Sequence, residues 1–390
     1  MAGTDSLGPV QWLLLAQNIG TIECSTDEMT PENKDLTAAW VDSVRKHIID
    51  EETRVGAPID IVVLHLQEVG GKKFNNAFNL HLAQHVQQCT PYKGGWCSGL
   101  IMPDSNDGVT FTAMATVFFV GPRLVDLCSV LSFRHRVFIS LADNPVQWVG
   151  SRRALFHGAK FTAAGTSRKG FLITSLRIGN QTFNFVNVHL FHDADNSVAA
   201  KESPSEYAGK RVDALCEIAS ELAVVTSPDD PLFIFGDFNF RLDIGRVVKA
   251  LQQQFGQPIT LGKKKVDAPD AAWKYLQDPE NWEELRTFDT EGPVVMRTLR
   301  ERKGLQLSEP QRAFGPTYLR ETEPDLIASN ATTTGPDPTV FKRDRFPAWC
   351  DRVWMNANGA KQAESMAYWT ADLFKMDHQP VQLRFSSSVP

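Results

Sequence analysis

PLFIFGDFNFRLD, residues 231–243, begins as a buried strand and ends as a row of polar groups. Read with a period of two, one face carries Phe233, Phe235, Asp237, Asn239, Arg241 and Asp243, and the other carries Leu232, Ile234, Phe238, Phe240 and Leu242. The first face turns polar at Asp237, just after Gly236, whose missing side chain lets another backbone come close. A core strand that ends in a carboxylate, an amide and a guanidinium marks the margin of a sheet.

The same signature recurs along the chain. Strand-like runs occupy 11–18 (QWLLLAQN), 59–68 (IDIVVLHLQE), 114–121 (MATVFFVG), 170–191, 349–355 (WCDRVWM) and 379–385 (QPVQLRF), and the 170–191 run folds back at Gly179-Asn180. Several are apolar throughout, as in central strands covered on both faces. Their margins carry Asn18, Glu68, His189, Asp237 with Asn239, and Asp351 with Arg352. Any one of these reads first as a satisfied structural group, His189 as a hydrogen-bonded histidine and Asn18 as a turn residue. Five together predict a shared rim.

Between the strands lie amphipathic helices. TPENKDLTAAWVDSVRKHIID has Thr30 as N-cap, Pro31 in the first turn, and Leu36, Trp40, Val44 and Ile48 at four-residue spacing. SEYAGKRVDALCEIASELAVV places Leu215, Ile218 and Leu222 on one face. Hairpins mixed with helical crossovers predict an α+β fold of stacked sheets flanked by helices. Residues 8–390 read as a single domain, with a polar, helical insertion at about 257–312 and a surface loop at 321–338.

Composition sets bounds on function. In 390 residues, 42% hydrophobic and 22% charged, 24 Phe and 9 Trp supply ample core. A net charge of −6 argues against a nucleic-acid binder. The six cysteines form no C-x-x-C pair, so they read as reduced thiols in a cytoplasmic or nuclear protein, with neither zinc site nor disulfide framework. No apolar run has signal-peptide or membrane-spanning length, and the C-terminal SSSVP lacks a prenylation cysteine. The expectation is a monomer without a transmembrane segment, with membrane contact, if any, peripheral.

Glu, Asp and Asn without Cys or paired His form an oxygen-donor set, which suits Mg2+ rather than zinc. A metal with His, Arg and Lys directed at one point is a phosphoryl-transfer site. KMDHQPV (375–381) adds Asp377 and His378, which an antiparallel final strand would bring to the same rim.

Together GDFNFRLD, FPAWCDRVWM and MDHQPV, with AQNIG, LQEVGG, SRKGF, NVHLFHDADN and FGPTY in order, resemble the inositol polyphosphate 5-phosphatases of the endonuclease/exonuclease/phosphatase superfamily. NVHLFHDADN, SRKGF and GDFNFRLD look most like the type I branch, which acts on soluble inositol phosphates. The resemblance runs from Gln11 to Phe385 and implies a four-layer αββα sandwich related in fold to DNase I. It implies removal of the 5-phosphate from inositol 1,4,5-trisphosphate and inositol 1,3,4,5-tetrakisphosphate, with Mg2+ as cofactor.

Carried onto this chain, the resemblance makes Glu68 the metal ligand, with Asn18 beside metal and phosphate. Asp237 activates the attacking water, Asn239 holds a phosphate oxygen or that water, and His189 contacts the phosphate. His378 stabilises the transition state, oriented by Asp351, and Asp377 supports the metal or His378. Cations that read the remaining phosphates are sought among Arg168, Lys169, Lys210, Arg211, Arg241, Lys342, Arg343 and Lys361, with Lys169, Arg241 and Lys361 favoured. A phosphoinositide lipid substrate stays open, because the apolar and basic 122–150 region matches no motif of the family. A nuclease of the same fold and a non-catalytic phosphoinositide-binding scaffold are the further alternatives.

Overall fold

Two parallel strand pairs, each linked through a helix, organise the protein. In the computed structural model, whose described residues are 8–20, 31–69, 97–101, 113–142, 156, 161, 169–322 and 341–389, β1 (Val10–Asn18) runs parallel to β2 (Ile61–Gln67). Helix Pro31–Val55 lies between them in the chain. The first sheet is completed by β3 (Cys97–Ile101), β4 (Met114–Val120), β13 (Glu364–Thr370) and β14 (Val381–Ser387), in the order β13-β14-β1-β2-β4-β3.

The second sheet holds β5 (Cys128–Ser132), β6 (Val137–Ser140), β7 (Gly170–Ile178), β8 (Gln181–His189), β9 (Leu232–Asp237) and β12 (Asp351–Met355), in the order β12-β9-β8-β7-β5-β6. Its parallel pair is β8 with β9, linked through helix Glu206–Val225. Gly179 takes the left-handed conformation (φ 56°) in the β7–β8 turn. A small hairpin, β10 (Thr260–Gly262) and β11 (Lys265–Asp267), stands apart.

Strand alternation sends one set of side chains between the sheets and the other outward. Trp12, Leu14, Ile61 and Val63 meet Phe183, Phe185, Phe233 and Phe235 in the central core. The outward Leu13, Leu15, Val62 and Leu64 take Trp40, Val44 and Ile48 of the first helix. On the other side Val186, Val188 and Ile234 take Leu215, Ile218 and Leu222. Each such fully buried Val, Leu, Ile or Phe contributes about 1.5–3 kcal/mol relative to exposure. The result is the αββα sandwich that the motifs implied.

A polar seam ties the sheets together beneath the rim. Gln67 donates from Nε2 to Asn187 Oδ1 (2.7 Å), and Asn187 donates to the carbonyls of Ala115 (2.9 Å) and Leu66 (3.2 Å). His65 stacks on Phe235 with ring centroids 3.5 Å apart, and burial pulls its pKa down to about 3, so it is neutral.

Residues 257–312 contain the β10–β11 hairpin and the helices Asp270–Gln277, Trp282–Arg286 and Glu291–Lys303. Val295 and Leu299 of the last helix enter the same outer core as Leu215 and Ile218, so this segment helps cover the second sheet. The 122–150 segment supplies β5 and β6, while 143–150, Thr30 and most of the 321–338 loop lie outside the described residues. Within PLFIFGDFNFRLD the strand ends at Asp237, but the alternation continues to Arg241, since Phe238 and Phe240 share the outer core with Leu232 and Ile234 while Asn239 and Arg241 bond in series from Asp237. Asn239 is left-handed (φ 54°), and Leu242 packs with Ile244, Val247 and Leu251 instead of with Phe238 and Phe240.

Candidate active site

Strand register lines up the rim. His189 is opposite Asp237 across the parallel β8–β9 pair, and Asp237 is opposite Asp351 across the antiparallel β9–β12 pair. In the facing sheet Asn18 is opposite Gln67, which places Asn18 and Glu68 at the matching ends of β1 and β2. β14 starts at Val381, paired with Ala16, so His378 just before it reaches the same edge. Gly236 permits this: φ is 144°, and a Cβ there would collide with the Val188 carbonyl.

Asp237 is buried and acts as an acceptor on every side. Oδ1 accepts from the Asn239 backbone (2.9 Å), and Oδ2 accepts from Asn239 Nδ2 (2.8 Å) and Asn18 Nδ2 (3.3 Å). Two imidazoles face Oδ2, with His189 Nε2 at 3.4 Å and His378 Nε2 at 3.9 Å. The left-handed turn at Asn239 lets its side chain and backbone bond the same carboxylate, while Nδ2 also reaches the Leu190 carbonyl.

Behind His378 stands a second buried carboxylate. His378 Nδ1 lies 2.9 Å from Asp351 Oδ2, which also accepts from Thr317 Oγ1 (2.6 Å), and Thr317 Oγ1 accepts from the Asp351 backbone (3.1 Å). Burial alone would lower the pKa of His378. The charges of Asp351, Asp237 and Asp377 outweigh it and raise the pKa to about 10, so the ring is a cation at neutral pH. The Tyr318 ring packs on His378 with centroids 4.4 Å apart.

Glu68, with a left-handed backbone (φ 59°) and a partly exposed carboxylate, lies 3.7 Å from His189 Nε2. A Cβ on Gly20 would come within 2.5 Å of Glu68 Oε2 and 3.1 Å of Asn18 Oδ1, so both oxygens border one small space. Asp237, Asp351 and His378 also have ligand atoms within 4.8 Å of one another. His378 is protonated and its Nδ1 is committed to Asp351, with Nε2 3.9 Å from Asp237 Oδ2, so that trio is an imidazolium held between two carboxylates. The oxygens of Glu68, Asn18 and Asp237 fit a hard cation better. Asp377 lies within the field of Glu68, Asp237 and His378; burial raises its pKa, and the two carboxylates add to the rise.

Cations gather at one side. Lys169 Nζ contacts His189 Nε2. Arg241 is buried over the Tyr318 ring (4.5 Å) and donates to Asn239 Oδ1 (2.9 Å); its Nε lies 3.7 Å from Asp193 Oδ2, and among the described residues Nη1 makes no hydrogen bond. Arg345, which the sequence reading passed over, lies beside Arg241; burial first, then the Arg241 charge, lower its pKa. His192 senses Lys169, Arg241 and Arg345 together. A cation two residues before PAWCDR was the available sign for Arg345.

Other expected cations sit elsewhere. Arg168 lies outside the described residues. Lys342 pairs with Glu321 (3.9 Å) at the margin, its field reaching Asp377. Arg343 is exposed and paired with Asp270 (2.6 Å) over Trp273, away from the cluster. Lys361 belongs to helix Ala357–Gln362, beside Asn356, whose backbone donates to Leu232 at the start of β9. That is the end of the sheet opposite Asp237. Thr317 and Tyr318 were quoted within FGPTY, but nothing in their residue types marked their contacts.

A family model described as endonuclease/exonuclease/phosphatase family 2 matches residues 148–384. The chain is 25% identical to a probable type I inositol 1,4,5-trisphosphate 5-phosphatase of Caenorhabditis elegans, covering 97% of this chain and 100% of that protein. It is 25% identical to the inositol polyphosphate-5-phosphatase A of Homo sapiens, covering 99% and 95%. Among solved structures, the inositol polyphosphate 5-phosphatase domain of SPsynaptojanin, in complex with inositol (1,4)-bisphosphate and calcium, superposes with a TM-score of 0.55 at 16% identity, covering 97% of this chain and 84% of that one. That likeness concerns the fold, an α+β sandwich of the DNase I-like kind.

Proposed function

The chain belongs to the endonuclease/exonuclease/phosphatase family 2, as a type I-like inositol polyphosphate 5-phosphatase, and from that premise we propose its substrates and mechanism. It removes the 5-phosphate of inositol 1,4,5-trisphosphate and inositol 1,3,4,5-tetrakisphosphate by in-line attack of water. The observation that carries this reading is the row His189–Asp237–Asp351 across three strands, with His378 bonded to Asp351 and Glu68 facing it.

Asp237 takes the proton of the attacking water, which Asn239 helps to orient. His378, cationic through Asp351, opposes the charge that grows on the phosphoryl oxygens, and His189 with Lys169 contacts the same group. Glu68 and Asn18 would hold Mg2+, supported by Asp377; Mg2+ when bound neutralises phosphate and leaving-group charge. Arg241 and Arg345 read a neighbouring phosphate, supported by the buried Arg241 guanidinium, whose Nη1 makes no hydrogen bond among the described residues.

We place the enzyme in the cytoplasm as a monomer of one catalytic domain, 8–390, with the 257–312 insertion built against it, peripheral membrane contact and no nucleic-acid partner. Among the described residues no helix is long and apolar enough to cross a membrane.

The test is phosphate release with and without Mg2+ across the two soluble substrates and their lipid counterparts in micelles. We expect Mg2+-dependent release with at least a tenfold preference for the soluble class, about 1.4 kcal/mol of transition-state discrimination. A tenfold preference for the lipids replaces this reading with the lipid phosphatase. Cleavage of a nicked duplex at matching rates replaces it with a nuclease, and binding without release with a scaffold.

A further inference from the structure

The stretch HDAD, residues 192–195, follows β8 and carries a carboxylate, Asp193, that the proposed chemistry leaves unassigned. Asp193 is fully buried, four residues beyond His189. Ser205, immediately before helix Glu206–Val225, donates from Oγ to Asp193 Oδ1 and fixes the carboxylate. Oδ2 then faces two buried guanidiniums at once, with Arg211 Nη1 and Arg241 Nε each at 3.7 Å. Among the described residues that oxygen makes no hydrogen bond, so charge ties it to the pair.

The two guanidiniums differ in what else they have. Arg211 is saturated: Nε and Nη2 donate to the two Glu291 oxygens (2.6 and 2.9 Å), Nη1 to the Phe191 carbonyl (2.7 Å), and Nη2 also to Ser205 Oγ (3.1 Å). Glu291 alone neutralises it in a bidentate pair. Among the described residues the Arg241 side chain otherwise meets neutral groups, the Asn239 amide and the Tyr318 ring. Asp237, whose charge also reaches Arg241, is occupied by Asn239, Asn18 and the two imidazoles. Asp193 is thus the counter-ion of Arg241, and a buried guanidinium without one would destabilise the fold. Its charge also reaches Arg345, where burial and then Arg241 lower the pKa while Tyr318 and Asp193 act against them.

We propose that Asp193 sets how tightly the site holds the phosphates that hydrolysis leaves on the product. The inference rests on the phosphate-reading role proposed for Arg241. In the free enzyme Arg241 is paired with Asp193, so a phosphate arriving at Nη1 shares that guanidinium with a carboxylate already in place. The 5-phosphate departs, but the phosphates read by Arg241 and Arg345 stay on the inositol ring and would bind strongly to uncompensated cations. Asp193 weakens that hold on substrate and product alike, which raises KM and speeds product release without acting on the bond that is cleaved. Asp193 touches no reacting atom, so it is an affinity-setting residue and not a catalytic one.

Calorimetric titration of the full chain with inositol 1,4-bisphosphate, the product of the trisphosphate, tests this alongside steady-state kinetics. Asp193→Asn keeps the shape of the side chain, and its amide can donate to Ser205 Oγ. The product should bind this variant about tenfold tighter, or roughly 1.4 kcal/mol. KM for inositol 1,4,5-trisphosphate should fall about as much, with kcat unchanged or lower. Asp193→Ser, also neutral, should act in the same direction and serves if the amide variant does not fold. A purely structural Asp193 would loosen product binding when replaced, so unchanged or weaker binding in the folded variants overturns the assignment. Arg241→Met checks the reading beneath it and should weaken product binding at least tenfold. If it does so and the Asp193 variants fail to tighten binding, the role of Asp193 falls and the phosphate reading stands. If Arg241→Met changes nothing, the phosphate reading falls and takes the inference with it.

Discussion

Asp351 and Arg352 are neighbours on β12 and serve opposite faces of the sheet. Asp351 lies opposite Asp237 and bonds His378, whereas Arg352 lies opposite Gly236 and points away from the rim. There it donates to Asp289 Oδ1 (2.5 Å) and Glu309 Oε2 (3.3 Å) under the Phe240 ring. Two adjacent charged residues thus divide catalysis from scaffold, and their substitutions should separate. Arg352→Met leaves Asp289 and Glu309 with Arg312 as their remaining cation, so denaturant unfolding should lose less than the roughly 3–5 kcal/mol of a wholly unpaired buried charge, with kcat little changed. Asp351→Asn should lower kcat by about a hundredfold or more and, because the buried His378 loses its paired carboxylate, should also cost stability at neutral pH, so the two substitutions separate in kcat.

Asp237→Asn should reduce kcat by roughly 10²–10⁴ if the carboxylate takes the proton of water. Single-turnover phosphate release measures this directly. A loss smaller than tenfold would move the base to another residue.

Thr317 holds the Asp351 carboxylate, so Thr317→Val should free that carboxylate to rotate and weaken its hold on His378. We expect the His378 pKa, read by NMR titration, to fall from its raised value. Thr317→Ser, which keeps the hydroxyl, should restore it, whereas a purely packing role would be restored by Val.

The raised pKa of His378 also fixes a pH dependence of stability. Its folded value is about 10, above the ordinary 6.5, so the protonated ring stabilises the fold fully below pH 6.5 and loses that contribution as pH climbs through about 10. Thermal unfolding at pH 7 and pH 10.5 should show a larger loss in the native protein than in His378→Gln. Equal losses would mean that another group controls the alkaline limb.

Gly20→Ala tests the placement of Glu68. The added methyl would displace the Glu68 carboxylate, so half-maximal activation should require about tenfold more Mg2+, or roughly 1.4 kcal/mol of lost metal binding. Unfolding should be little affected.

Strands and rim residues were legible because burial on both faces leaves unbroken apolar runs, and a polar residue at the end of such a run stands out. The 231–237 strand, the Gly179 turn and the convergence of Asn18, Glu68, His189, Asp237 and His378 follow from that contrast. Charged side chains were less legible, since the sequence does not say which way they point. Arg211 reads as a substrate cation beside Lys210, yet it is fully buried and paired with both Glu291 oxygens (2.6 and 2.9 Å). Lys361 was placed by residue type, and its position depends on which end of β12 leads into the next helix. The alternation runs past Asn239 and breaks at Leu242, which turns into the central core with Ile244, Val247 and Leu251, and periodicity carries no sign of that turn. The edge strands β3, β6 and β13, and β5 next to β6, are short or half-exposed and lack a two-sided apolar run.

β1 pairs with β14, so two strands more than 350 residues apart in the chain are bonded side by side. At about 5–20 residues per second, the ribosome leaves β1 without that neighbour for tens of seconds. During that interval Trp12 and the hydrogen-bonding edge of β1 stand exposed to chaperones, and His378 has not yet been made. A nascent chain therefore carries most of its catalytic groups but none of their chemistry until the segment that brings His378 and β14 has been made.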